Sequence, residues 1–210
     1  MPAAPARDGL DDGAAEALIE RARDHFIGQF KSFIVTRQRS CTHGASELKV
    51  LFDEPNPYFE RLCCVDFISN DGEYRRHMLA ADGLEIAGVA SLRFGAATLS
   101  ISSLRWDGMY VRHDLATTPL EAIARWHRHW FDPEDARLDR DAPLSGVIHA
   151  LLIEPGSLLI DFGTAPSAAF WELLELLEGA GARNIDVSAA SQPEATEESS
   201  PAPTNAGALH

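Results

Sequence analysis

Residues 146–187 (GVIHALLIEPGSLLIDFGTAPSAAFWELLELLEGAGARNIDV) constrain the fold of this chain more than any other stretch. Two apolar runs flank Glu154-Pro155-Gly156-Ser157, a turn sequence that joins them as a β-hairpin. A helical stripe of Phe170, Leu173, Leu174 and Leu177 follows, ended by Gly179 and Gly181. Ile185 and Val187 then give a short returning strand, and a strand–helix–strand return of this length favours a parallel crossover. The block sets a fold class and names no chemistry.

The rest of the chain supplies complementary elements. A first helix is expected from near Gly13, with Asp11 or Asp12 at its cap and Leu18, Ala22, Phe26, Phe30 and Phe33 as its buried stripe. Its end is open, because Phe33-Ile34-Val35-Thr36 could also begin a strand. Leu48, Val50 and Phe52 share one face of a first strand. Asp71-Gly72 reads as a two-residue turn joining 61–69 to 73–79, and Asp107-Gly108 as another joining 98–106 to 109–113. A further strand lies within 84–94, interrupted by Gly88. Thr118-Pro119-Leu120-Glu121 has the pattern of a capping box opening a second helix, with Leu120, Ile123, His127 and Trp130 on its inner stripe. The expected fold is one α+β domain over 13–188: a mainly antiparallel sheet, about three helices packed on one face, and a C-terminal hairpin–helix–strand unit. Residues 1–12 read as a flexible N-terminus, and 189–210 as a disordered, acidic, proline-containing tail with little to bury.

Charge narrows the function classes. Against 32 acidic residues stand 18 basic ones, of which only Lys31 and Lys49 are lysines, leaving a formal net charge of −14. That balance argues against nucleic-acid binding, which needs clustered Lys and Arg, and suits a basic protein partner reached by electrostatic steering. No apolar run reaches transmembrane length and the N-terminal stretch has no hydrophobic signal core, so a cytoplasmic protein with no membrane partner is expected. The three cysteines, Cys41, Cys63 and Cys64, form no CxxC and fit a reducing compartment.

Several groupings look like chemistry and most fail on geometry. Asp161-Phe162-Gly163 resembles the metal-binding loop of protein kinases over three residues, but the glycine-rich loop, strand lysine and catalytic loop of that family are absent. The plain reading is that Gly163 turns the chain and Thr164 caps the next helix. In the 154–157 hairpin Ile153 faces Leu158 and Ala150 faces Asp161, so His149 and Asp161 alternate onto opposite faces and make no dyad. His149 is then expected to be a buried, hydrogen-bonded core histidine. His127 and His129 lie about 200° apart around a helix and cannot share an ion. Cys63 and Cys64 diverge on a strand, which removes a zinc site with Cys41 and His43. No cofactor is implied.

Two sets of residues remain. If Asn70 and Glu73 flank a two-residue turn, Asp66 faces His77 and Cys64 faces Leu79, which brings Cys64, Asp66 and His77 onto one face as a candidate thiol-hydrolase trio. A cross-strand Asp–His pair that only stabilises the hairpin is the commoner outcome. The other set is an interaction surface: Trp171 with Glu172, Glu175 and Glu178 on the outer side of the last helix, and Trp126 as a second aromatic anchor or a core residue. The leading expectation is a non-enzymatic acidic protein-interaction module of the adaptor, immunity- or antitoxin-like, or chaperone-like kind. Its element order is similar to that of small acidic secretion chaperones, with no residue motif behind the similarity. A small-molecule-binding regulatory domain is the alternative.

Overall fold

A computed structural model describes residues 12–51, 62–84, 86, 88–139 and 141–190. The first helix, α1 (Asp12–Ser40), runs straight through Phe33–Thr36. Its stripe of Ala15, Leu18, Ile19, Ala22, Phe26, Phe30 and Ile34 is buried at helical spacing and decides for helix over strand there. Next come β1 (Gly44–Leu51), β2 (Leu62–Asn70), β3 (Tyr74–His77), β4 (Ala90–Phe94), β5 (Ala97–Ile101) and β6 (Met109–His113). The chain closes with α2 (Leu120–Phe131), β7 (Ala150–Glu154), β8 (Ser157–Asp161), α3 (Ala168–Gly179) and β9 (Asn184–Ala189). The α+β class and the element order are as read from the sequence. The expected N-terminal segment and tail lie outside the described residues except at their inner ends, where Asp12 opens α1 and Ala189 closes β9.

The strands form two sheets, β1-β2-β3 and β4-β5-β9-β6-β8-β7. Every pairing is antiparallel except β5 with β9. Residues alternate along β9, with Ile185 and Val187 buried and Asn184 and Asp186 exposed, so the six-stranded sheet turns one face to the core and one outward. Its core face meets α1 and α3 in one continuous cluster that includes Phe30, Leu99, Ile160, Phe162, Phe170 and Leu174.

Four local expectations are corrected. Asp107-Gly108 does not make a hairpin of β5 and β6, because β9 lies between them, parallel to β5 and antiparallel to β6. A returning strand that pairs with a partner some eighty-five residues away outweighs the local turn. Around Gly72 the loop has three residues, not two: Asn70 pairs with Tyr74 and Phe67 with His77. Thr118 does not cap α2, whose first turn carries no side-chain cap bond. Thr164 does not cap α3, which starts at Ala168; its hydroxyl instead accepts the N–H groups of Gly146 and Val147.

The 154–157 hairpin keeps the expected register, with Ile153 opposite Leu158 and Ala150 opposite Asp161. His149, one residue before β7, receives the Cys64 N–H on its carbonyl at 2.7 Å and donates its own N–H to Asp161 O at 2.9 Å. This short segment therefore ties β2 of the small sheet to β8 of the large one.

Candidate functional site: an acidic aromatic groove, and a buried ion cluster at the far edge of the sheet

The last helix presents Trp171 at the rim of its packed face. The indole lies over Phe94, at the end of β4, with ring centroids 6.0 Å apart and planes 24° from parallel, and meets Phe170 edge-on at 5.0 Å. Trp171, Phe94 and Leu92 floor an open groove of about 640 Å³ between α3 and β4. Glu172 and Glu175 line it from α3 and Glu16 from the second turn of α1. Arg93 is the one basic residue among the described residues that line it, and its Nε donates to Gly95 O at 3.0 Å.

The four residues singled out on α3 have different jobs. Glu172 accepts a 2.7 Å hydrogen bond from Trp130 Nε1, which fixes its carboxylate at the groove wall. Glu178 turns away to the β4–β5 turn, where it accepts the Ala96 N–H at 2.8 Å. Gly95, at φ +54°, makes that contact possible, since a Cβ there would come within 2.7 Å of Glu178 Oε1. Glu175 is exposed and Trp171 half-buried. Trp126, the other aromatic candidate, is in the core: it is 6% exposed and its Nε1 donates to Ala169 O at 2.9 Å. It packs edge-on against Phe162 at 6.3 Å. Glu16, Arg93 and Phe94 carried no local signal as groove residues, because they meet α3 only through tertiary packing.

The three-residue loop at 71–73 separates the thiol trio. A one-residue slip exchanges the faces of a strand, so His77 comes opposite Phe67 and its Nε2 lies 2.9 Å from Ser69 Oγ. Asp66 instead accepts the Leu79 N–H at 2.7 Å and faces His149 Nδ1 at 3.0 Å. Cys64 is 1% exposed, and burial followed by the nearby carboxylates of Glu47 and Asp66 holds its thiol well above the ordinary range. Cys64, Asp66 and His77 do not share a site.

In their place the small sheet builds a cluster that only the tertiary fold assembles. His149 is fully buried, with Asp66 on Nδ1 at 3.0 Å and Glu47 on Nε2 at 3.4 Å, both carboxylates 5% exposed. Glu47 sits between the pairs Ser46–Phe67 and Leu48–Val65, opposite Asp66, and adopts φ +52°. For a non-glycine residue that conformation costs on the order of 1 kcal/mol or more. It is held by the Ser145 N–H at 2.9 Å and by the hydroxyls of Ser145 and Thr164.

Burial alone would lower the His149 pKa, but the hydrogen bonds the ring donates to Asp66 and Glu47, together with the charges of Asp161 and Asp66, outweigh it and raise the pKa to about 10, so the ring is an imidazolium at neutral pH. Burial raises Glu47, yet its bonds to His149, Ser145 and Thr164 bring it below the usual carboxylate range. Asp161, on the other side of the hairpin, is pushed up to about 7 by burial. Phe30 closes over the His149 ring at 5.4 Å, and Gly163 abuts it so closely that a Cβ would fall 2.0 Å from His149 Cδ2. This sealed cluster fastens the two sheets together and offers no surface to a substrate.

His127 is buried as expected and burial lowers its pKa to about 4, while Arg125, Arg128 and His129 face outward. Among the described residues no three His, Cys, Asp or Glu side chains are placed to hold a metal ion, and no helix is long and apolar enough to cross a membrane. Comparison with protein-family models, with curated proteins and with solved structures gives no match.

Proposed function

We propose that this chain is a non-enzymatic interaction module whose α3–β4 groove receives a cationic segment of a protein partner. One observation carries the reading: an indole and a phenyl ring lie in an open groove that Glu16, Glu172 and Glu175 also line, with Arg93 the one basic residue among the described lining residues. A lysine or arginine stem laid over Trp171 gains a cation–π contact of about 0.5–2 kcal/mol while its head reaches a carboxylate. Exposed ion pairs add at most about 1 kcal/mol each. Most of the affinity therefore comes from burying Trp171, and the carboxylates select the partner's sign. The net charge of −14 speeds the encounter with a basic protein at low salt.

The test is affinity capture from the native host, read by mass spectrometry. A basic partner held at near-stoichiometric yield by the wild type and by Tyr74→Ala, a control 80% exposed on β3, is expected to be lost from Trp171→Ala and held at reduced yield by Glu16→Gln/Glu175→Gln. A partner retained equally by all four proteins overturns the reading. A heat-stable small molecule carried through purification, with no protein partner, favours a ligand-binding domain instead.

A further inference from the structure

The groove runs along the outer strand of the large sheet, and that geometry specifies how a partner sits in it. β4 ends the strand order, and among the described residues nothing pairs with its outer edge. Gly95 and Ala96 form a two-residue turn with Gly95 at φ +54°, so Phe94 and Ala97 are the closing hydrogen-bonded pair. Hydrogen bonding to the neighbour alternates along an antiparallel strand. Leu92 and Ala90 therefore bond inward to Leu99 and Ile101, and the N–H and C=O groups of Ser91 and Arg93 point out from the sheet. Ser91 is half-buried and Arg93 exposed.

Building on the proposed function, we infer that the groove's occupant is an extended, basic segment of a partner that adds to β4 as a seventh strand. Its backbone pairs with Ser91 and Arg93. Alternate side chains of an added strand point to the groove floor, where an apolar one covers Trp171 and Phe94. Lysines or arginines two residues to either side of it share that face and reach Glu16 and Glu175. Charge complementarity selects this occupant over a second copy of the chain, which would bring a second set of the same carboxylates to the same edge.

The probe, called the Lys–Val peptide, is acetylated, amidated Lys-Thr-Lys-Thr-Val-Thr-Lys, whose lysines and valine share one strand face, compared with an alanine-rich helical peptide carrying the same three lysines. Binding is followed by calorimetry at low salt, and amide hydrogen exchange of the full chain is measured with and without peptide. Strand addition predicts that the Lys–Val peptide binds about tenfold or more tightly than the helical one and slows exchange at Ser91 and Arg93. Arg93→Pro deletes an outward N–H without touching the ladder to β5, and it also removes a positive charge at that edge. Pure electrostatics predicts tighter binding for both Arg93→Pro and Arg93→Gln. Strand addition predicts tighter binding for Arg93→Gln and weaker for Arg93→Pro, with thermal melts checking that each variant folds.

Binding that Trp171→Ala abolishes but Arg93→Pro preserves, with no new protection at Ser91 and Arg93, overturns strand addition and leaves the groove reading standing. If neither peptide binds, or if binding ignores Trp171→Ala, both fail. Protection of the two amides in the free chain shows the edge already covered, by another segment or a second copy, and also overturns the inference.

Discussion

Replacing Asp66 with asparagine keeps the shape of a side chain that supports both sheets and removes its charge. The structure sets the expected cost. His149 is fully enclosed and carries a proton that Asp66 and Glu47 stabilise, so the variant leaves an imidazolium facing one carboxylate at 3.4 Å. Removing one partner of a buried pair costs about 3–5 kcal/mol. Glu47 remains, and an amide oxygen can still accept the Leu79 N–H, which places Asp66→Asn near the lower end. For a domain of this size each kcal/mol lowers the melting temperature by about 2–4 °C, so a fall of roughly 6–12 °C is expected. Urea unfolding at neutral pH, followed by tryptophan fluorescence and circular dichroism, gives the free energy directly. Glu73→Gln is the control: its ion pair with Arg75 spans 3.7 Å with both side chains more than 70% exposed, and its loss should leave the midpoint unmoved. If Asp66→Asn costs less than about 1 kcal/mol, the cluster is not the fastening between the sheets that its burial implies.

The same cluster predicts a pH profile. His149 is raised from 6.5 to about 10, so its contribution is full below pH 6.5 and is lost as pH rises through 10. Asp161 is raised from 3.8 to about 7 and has the same sign, giving stability that is complete below pH 3.8 and lost as pH rises through 7. Glu47 is lowered from 4.5, so its contribution is present above that pH and disappears as pH falls through its folded value. Stability measured by denaturant midpoint should therefore be greatest between about pH 4.5 and 6.5 and decline steadily on the alkaline side; a maximum above pH 8 contradicts these assignments. Gly163→Ala should cost more than about 1 kcal/mol, because φ is +50° and the new methyl would strike the His149 ring; a neutral effect in thermal melts would contradict that packing. Native chain treated with a disulfide reagent should leave Cys64 unmodified, while all three thiols react in denaturant; rapid native labelling of Cys64 would show the small sheet open.

How much of this could be read from the sequence depended on whether the cause was local. The α1 stripe and the β7–β8 register were legible, since helical spacing and the Pro155-Gly156 turn act over a few residues. The separation of His149 from Asp161 followed from that register. The partners of His149 did not, because Asp66 and Glu47 lie 83 and 102 residues away on the other sheet. The turn at Asp71-Gly72 misled for a similar reason: Asp71 accepts the Thr42 N–H at 2.7 Å, a contact from outside the hairpin, and the loop takes three residues. Trp171 and its glutamates stood out as an exposed rim of an otherwise apolar helix. Phe94 and Glu16, which turn that rim into a groove, are brought there by β4 and α1 and have no marker in their own neighbourhoods.

The four indole N–H resonances offer the most direct check on the groove as a binding site for a cationic segment. Trp106 and Trp126 are buried, Trp130 is bonded to Glu172, and Trp171 is half-buried at the groove floor. On titration with a lysine-bearing extended peptide at low salt, the Trp171 signal should move saturably, Trp130 should follow through Glu172, and both should return as salt is raised. Shifts elsewhere in the protein with Trp171 stationary would contradict the account.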